Sequence, residues 1–532
     1  MDQQGKQEKK NFRGNAKPAY GEKKSFNRGP KSEGGEKRSF NRNGRNFGDK
    51  KFGDKKFEGK KFEDGKPQGR RFDNRSKKPM PVKNEGPSAR DVALKALRNV
   101  FRDNAYAAQA LDRELSAVKL SDEDRRLAAS LFYFTLENRL RIEKLIATKV
   151  KSRPELEIME ILDLAVAQIL FMDKIPDHAA VDEAVKQTRR ARKETMTALV
   201  NAVLRGLIRD RDAGELALPD KETEPEKYIS EKYSVALPLV ERLVAAYGAE
   251  LTEQIAAWSP DRHSDTIRPN RLTMSDAQFE AWLTENGFNW EKATVPGAYR
   301  VTGAGRLASH EGYRKGIFSI QGESSMLAAL SMCVKPGMQV LDACAAPGGK
   351  SCLMAEIMKG AGRVHAWDLH EHRVELIKAA ARRLGLENIR TQARDAAKKN
   401  ENLEGMMDAV LVDAPCSGLG VMGDKPDIKY RLTTDTIDAL VPIQRDILNT
   451  CASYVRPGGL LVYSTCTILP EENENQVEAF LKAHPEFEME TSTAWLPEAL
   501  RGGCENGMLQ LLPSRDGIDG FFIARMRRKA GV

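Results

Sequence analysis

Three short segments carry the residue types that covalent chemistry needs. Asp342-Ala343-Cys344-Ala345-Ala346-Pro347-Gly348-Gly349-Lys350-Ser351 is a glycine-rich turn, Asp413-Ala414-Pro415-Cys416-Ser417-Gly418 joins an acid to a thiol, and Ser464-Thr465-Cys466-Thr467 supplies a second thiol. The glycine-rich turn lets a ligand approach backbone amides at the positive end of a following helix. Two cysteines in such settings argue against the common fate of a thiol, burial as a small hydrophobe. The set suits methyl transfer to C5 of cytosine. That carbon is a poor nucleophile, and a thiolate added to C6 makes it enamine-like and able to attack the methyl carbon of a sulfonium. A base then removes the C5 proton and the thiolate is eliminated. Spacing alone leaves open which of Cys416 and Cys466 attacks.

These segments must be held by an alternating strand and helix pattern. Met338 to Ala343, Arg363 to Trp367, Ile389 to Ala393, Ala409 to Val412 and Leu460 to Tyr463 are short apolar runs, with helical stretches such as Leu369 to Leu384 between them. That alternation predicts a doubly wound parallel sheet. Asp368 ends the second run, 18 residues after Lys350, where such folds place the acid that holds ribose hydroxyls. Asp395 follows the third run and Asp413 the fourth, so the acids and thiols should converge on one crevice at the carboxyl ends of the strands. Gly349-Lys350-Ser351 imitates the close of a phosphate-binding Walker loop, but that pattern needs glycine where this chain has Cys344.

The rest of the chain divides by composition. Residues 1–87 are Lys, Arg, Gly, Asn and isolated Phe, with near-repeats beginning at Phe47, Phe52 and Phe57. Such a tail cannot bury enough apolar surface to offset its chain entropy and is expected to be disordered. Residues 1–86 hold 26 Lys plus Arg against 12 Asp plus Glu, so the remainder is net acidic although the whole chain is +9. The tail is therefore the segment expected to attract RNA phosphates, and its deletion should weaken RNA binding in a salt-dependent way; the alternative role is solubility. Residues 88–212 show Leu94, Leu97 and Phe101 at helical spacing, a capping signal from Ser121 to Asp124, and helical stretches over 154–172 and 178–209. Residues 213–229 are polar and suggest a linker, residues 230–330 mix helix (237–247, 276–287) with strand-like pieces, and residues 331–532 carry the alternating pattern.

No run approaches the roughly 20 apolar residues that span a bilayer, and the first residues lack the apolar stretch of a signal peptide. A cytoplasmic protein without membrane contact is expected. All seven cysteines fall after residue 332 without zinc spacing, so neither a disulfide framework nor a metal is suggested.

On Cys344 to Lys350, Asp413 to Gly418, Pro426-Asp427-Ile428-Lys429, Ser464 to Thr467 and Asp519-Gly520-Phe521-Phe522, the chain closely resembles the bacterial rRNA cytosine-C5 methyltransferase family called RsmB, Sun or Fmu. Its helical block resembles a NusB-like RNA-binding domain through Asp124-Arg125, Pro176 to Val181 and Asn201 to Arg205. The resemblance covers about residues 88–527. It implies an α/β fold in which a Rossmann-like S-adenosylmethionine-dependent methyltransferase domain follows an all-α NusB-like domain and a disordered basic tail. It also implies a cofactor site of Cys344, Ala345, Ala346, Pro347, Gly348, Gly349, Lys350, Asp368, Asp395 and Asp413, with Cys466 as nucleophile and Cys416 in product release. The partner implied is 16S rRNA or a small-subunit assembly intermediate, with no obligate protein partner. Rival readings are a cytosine-C5 methyltransferase of tRNA or another rRNA site, and a non-catalytic NusB-like RNA-binding factor. Two departures, Arg268-Pro269-Asn270 for the usual Arg-Val-Asn and Gln321-Gly322-Glu323 for Gln-Asp-Glu/Ser, lie outside the cofactor loop and the cysteines. They are expected to bear on RNA contacts rather than on the reaction.

Overall fold

The computed structural model describes residues 86–261, 264–303 and 305–531. The basic tail therefore lies, apart from its last two residues, outside the described residues.

The helical block opens at Ser88, whose hydroxyl accepts from the Asp91 amide in a capping box that starts helix Ala89–Asp103. Helices Ala107–Ser116, Asp122–Glu137, Arg139–Ala147, Leu156–Phe171, Asp177–Arg190 and Thr197–Asp212 follow, and Leu156–Phe171 is buried from Ile158 to Ile169. The continuous helix expected over 178–209 is broken after Arg190, where Arg192 adopts a left-handed φ of 60°. The break folds the chain back, so that Val181 and Ala184 before it and Val200 and Leu204 after it enter one core.

Helix Pro225–Tyr233 begins within the polar stretch 213–229, and helix Leu237–Ala257 kinks at Gly248, whose φ is 77°. Both bury Ile229, Leu239, Val240, Leu243 and Ile255 against Leu419, Met422, Ile468 and Leu469. A small antiparallel sheet follows in the order β2-β3-β1-β4, made of β1 (Ser264–Pro269), β2 (Asn289–Lys292), β3 (Tyr299–Thr302) and β4 (Phe318–Ile320). It packs on helix Asp276–Glu285 through Phe279, Leu283, Phe288 and Phe318.

The catalytic sheet contains β5 (Gln339–Asp342), β6 (Arg363–Asp368), β7 (Ile389–Ala393), β8 (Met407–Asp413), β9 (Val455–Thr465), β10 (Phe487–Met489), β11 (Cys504–Glu505), β12 (Met508–Leu511) and β13 (Phe521–Arg528). Its order is β11-β12-β13-β9-β8-β5-β6-β7, with β10 also paired to β13. Strands β5 to β9 pair in parallel, and β13 runs antiparallel beside β9. Apolar runs locate the five parallel strands, but β10 to β13 form an antiparallel flank that alternation with helices does not foretell. The fold class is thus an all-helical block ahead of a doubly wound sheet. Strand order reverses between β5 and β8, and ligands of such sheets bind in the crevice opened by that reversal. Among the described residues no helix is long and apolar enough to cross a membrane.

Candidate active site

The crevice floor is the turn after β5. Asp342 is fully buried, and its Oδ2 accepts from Ser351 Oγ at 2.6 Å. Burial pushes its pKa up to about 7. Ala345 donates its N–H to the Trp367 carbonyl (2.7 Å), tying the turn to β6. Gly348 enters helix Gly349–Ile357 at a φ of 107°, and a Cβ there would lie 3.1 Å from the Ile377 backbone. Only glycine combines that torsion with that approach. Cys344 sits in this turn with its thiol pKa pushed well up by burial, which favours the neutral form.

The acids line up along the strand ends. Asp368 closes β6 and accepts from the His370 amide (3.2 Å) and from Arg373 (3.1 Å), which also reaches the Ala346 carbonyl (3.2 Å). Asp395, after β7, accepts from the Ala397 amide at 3.1 Å. Asp413 ends β8, bonded to Ser464 Oγ (2.8 Å) and paired with Lys350 Nζ (2.8 Å). Burial works against the Lys350 charge, but the Asp413 carboxylate outweighs it and the pKa is raised. The same ammonium lies 5.5 Å above the Phe521 ring.

Beside this pair the two thiols meet, with Cys416 Sγ 3.3 Å from Cys466 Sγ. The contact with Cys416 holds the Cys466 pKa below the usual thiol range, helped by Lys425 and Lys350 and opposed by burial and the Asp413 carboxylate. The same contact, burial and the Glu472 carboxylate push Cys416 well up. Lys425 and Lys350 thus favour negative charge on Cys466 while Glu472 disfavours it on Cys416, although the Asp413 carboxylate acts against charge on Cys466. Glu472 is fully buried and accepts from the Ser417 amide (2.8 Å), Ser417 Oγ (2.5 Å) and Gln444 Nε2 (2.9 Å), which fixes the loop that carries Cys416. Asn473 does the same for the other loop, bonding Thr465 Oγ1 (2.5 Å) and the Thr467 carbonyl (3.1 Å). No motif spacing points to Glu472, Gln444 or Asn473; the only signal is Pro470-Glu471-Glu472-Asn473-Glu474, a polar run directly after buried Ile468 and Leu469.

In the two segments whose departures are expected to bear on RNA contacts, Arg268 and Gln321 face the interior. Arg268 is 1% exposed, bonds Gln321 Oε1 at 2.7 Å and pairs with Glu356 of the first catalytic helix at 2.6 Å. Gln321 in turn lies 3.4 Å from where Gly349 would carry a Cβ. These residues buttress the glycine-rich turn from behind and are too buried to meet RNA. Proline is tolerated at position 269 because the pairing of β1 with β3 ends at Ile267, while the Asn270 amide carries on the ladder to β4 by donating to the Ile317 carbonyl.

Among the described residues no group of three or more His, Cys, Asp or Glu side chains could hold a metal ion. Residues 329–527 match the family model for the 16S rRNA methyltransferase RsmB/F, and residues 87–209 match that of the NusB family. The chain is 38% identical over 446 residues to the probable ribosomal RNA small subunit methyltransferase B of Bacillus subtilis, covering 83% of this chain and 99% of that protein. Its identity to the ribosomal RNA small subunit methyltransferase B of Shewanella oneidensis is 30% over 442 residues, covering 82% and 98%. The crystal structure of PH0851 superposes with a TM-score of 0.71 at 26% identity, covering 84% of this chain and 99% of that one.

Proposed function

The chain belongs to the RsmB/F family of ribosomal RNA small subunit methyltransferases and carries a NusB-family domain, and on that premise we propose that it methylates C5 of a specific cytosine in 16S rRNA through a covalent cysteine adduct. The observation that carries this reading is the thiol pair, two sulfurs 3.3 Å apart beside the Lys350–Asp413 ion pair. A lone thiol would serve addition, but addition followed by elimination needs a second group that handles a proton.

The donor set fits S-adenosylmethionine. The turn from Cys344 to Lys350 offers amides at a helix start, suited to the amino-acid carboxylate, and Asp368 and Asp395 offer acceptors for hydroxyl and amine donors at the next two strand ends. Although the His370 amide and Arg373 engage Asp368, its Oδ2 keeps a further lone pair for a ribose hydroxyl. When bound, the cofactor supplies a methyl group on a positively charged sulfur as the electrophile.

The remaining work falls to this chain's side chains. The Cys466 thiolate forms a bond to C6 of the cytosine while electron density moves towards C5, and Asp413 with Lys350 meets the polar edge of the base. After C5 is methylated, a base accepts its proton, the C5–H electron pair forms the C5–C6 double bond, the C6–S bond breaks, and its electron pair returns to Cys466 as thiolate. Cys416, the neighbouring protonated thiol, assists that release.

Labelled methyl transfer to unmodified 16S rRNA tests the scheme. Wild type should label cytosine at C5, Cys466→Ala should be inactive, and Cys416→Ala should accumulate a covalent protein–RNA adduct. Retained activity in Cys466→Ala would reject the nucleophile, and labelling of tRNA in place of 16S rRNA would reject the substrate.

A further inference from the structure

A cavity of about 520 Å³ lies between the small antiparallel sheet and the catalytic sheet, outside the thiol and cofactor crevice. That volume is within the roughly 300–1,000 Å³ of small-ligand sites. Trp258 and Trp290, both half-buried, stand in its wall together with Arg300, Glu323 and Asp519. The cavity adjoins the reacting thiols. Gly520, next to Asp519, donates its N–H to the Gly420 carbonyl (2.9 Å), and Gly420 donates to the Cys466 carbonyl (3.1 Å). On the other side Trp258 lies against Gly423, in the loop that leaves Cys416. Lys425 acts electrostatically on both Cys466 and Asp519. A chain that places a base at Cys466 therefore has its neighbouring nucleotide within reach of this cavity.

The chemistry of the wall selects the occupant. Among the described lining residues other than Asp261, the acids Glu291, Glu323 and Asp519 stand against one cation, Arg300, which Glu323 already holds at 2.8 Å. A phosphate would be repelled here, whereas the donor edge of a base would be welcomed. Among the described residues Asp519 accepts no hydrogen bond, and burial, then repulsion from Asp424, raise its pKa to about 6. A carboxylate that lacks donors is satisfied by two parallel N–H groups. Guanine alone among the four bases presents adjacent N1–H and 2-amino donors, and indole rings supply faces for stacking.

We infer that this cavity is a second base subsite, which takes an unpaired guanine flanking the target cytosine, with Asp519 accepting from its N1–H and 2-amino group between Trp258 and Trp290. The assignment rests on the RNA reading above and adds a sequence preference to it.

The test is selection by the full-length protein from a pool of short RNAs with seven randomised nucleotides, read by sequencing the bound fraction for wild type and Asp519→Asn. Wild type should enrich cytosine together with guanine at one fixed offset, and Asp519→Asn should lose that guanine preference by about ten- to a hundredfold. In wild type the preference should fade below about pH 6 as Asp519 is protonated. Cytosine enriched without guanine, or the same guanine preference in both proteins, overturns the subsite and leaves the proposed reaction standing. Guanine enriched and lost in Asp519→Asn, but without cytosine, upholds the subsite and rejects the cytosine substrate. Inosine in place of the selected guanine gives a test that needs no variant: it removes the 2-amino group and should weaken wild-type binding by a similar factor. Unchanged binding to the inosine RNA overturns the inference.

Discussion

The glycine-rich side of the crevice is built mostly by one run of chain, from Asp342 to Asp395, on three neighbouring strands, with β8 paired to β5, Asp413 on Lys350, and Arg268 on Glu356 behind the turn. The thiol side is assembled from distant segments. Trp258 packs on Gly423, Tyr247 bonds the Ile468 carbonyl, Arg242 reaches Glu471 (3.1 Å), and Lys429 bonds the Tyr233 carbonyl (2.8 Å). Asp427, Tyr430 and Arg431 reach further, to Ala107, Leu136 and Ala105 of the helical block. The glycine-rich side thus draws mainly on nearby strands, whereas the thiol side draws on helix Leu237–Ala257 and on the helical block.

The largest effect should come from Glu472→Ala. It leaves the Ser417 amide without an acceptor in a fully buried place and removes one bond each from Ser417 Oγ and Gln444 Nε2, which keep Thr467 Oγ1 and the Pro415 carbonyl. The cost should be about 3 kcal/mol, visible as a lower Tm. Displacement of Cys416 and Cys466 should cut methyl transfer by about a hundredfold, with cofactor affinity unchanged in calorimetry. A parallel loss of cofactor affinity would show that the two sides are not separate.

Gly348→Ala probes the opposite side. The new side chain must accept a φ of 107° and a 3.1 Å approach to Ile377, which costs about 1–3 kcal/mol. Cofactor binding should weaken by about tenfold or more, while the alkylation rate of Cys466 stays as in wild type. A changed alkylation rate would break the division between the two sides.

The same contrast explains what could be foreseen. The parallel strands, the glycine-rich turn and the acids at the strand ends are legible because each is a local pattern of apolar runs, glycine and spacing. The family resemblance then singles out Cys466. Nothing local marks Glu472 as the acceptor for the Cys416 loop, since its donors Ser417 and Gln444 are 55 and 28 residues away. Arg268 and Gln321 mislead for a related reason. The RNA expectation for their segments overlooks that Glu356 supplies Arg268 with a buried partner 88 residues further along. The antiparallel strands β10 to β12 escape notice because they are short, and β13, eight residues long, because it lies beyond the strand–helix alternation.

A smaller effect is expected in the pH dependence of Cys466. The contact with Cys416 is the main cause of its lowered pKa. Below that pKa the sulfur is protonated and unreactive, and above it the thiolate reacts, so the alkylation rate of Cys466 should rise with pH through this value. Cys416→Ala removes that contact, and the rise should move to higher pH. An unmoved profile would transfer the credit to Lys350 and Lys425.

The smallest effect is the most informative about the helical block. Tyr430 projects from the loop after Cys416, and its hydroxyl donates to the Leu136 carbonyl and accepts from the Arg139 amide (3.1 Å). Arg139 also lies over the Tyr430 ring. Tyr430→Phe keeps the ring but removes both bonds, so stability should fall by only about 1 kcal/mol. If the helical block serves solely to hold RNA, such a change leaves kcat untouched. If it braces the thiol side, as these contacts imply, kcat should fall severalfold while the Kd for RNA stays constant, because the variant loosens the loop and leaves the exposed surface of the helices as it was. Single-turnover methyl transfer alongside equilibrium RNA binding separates the two, and a changed Kd with constant kcat would return the helical block to the role of a tether.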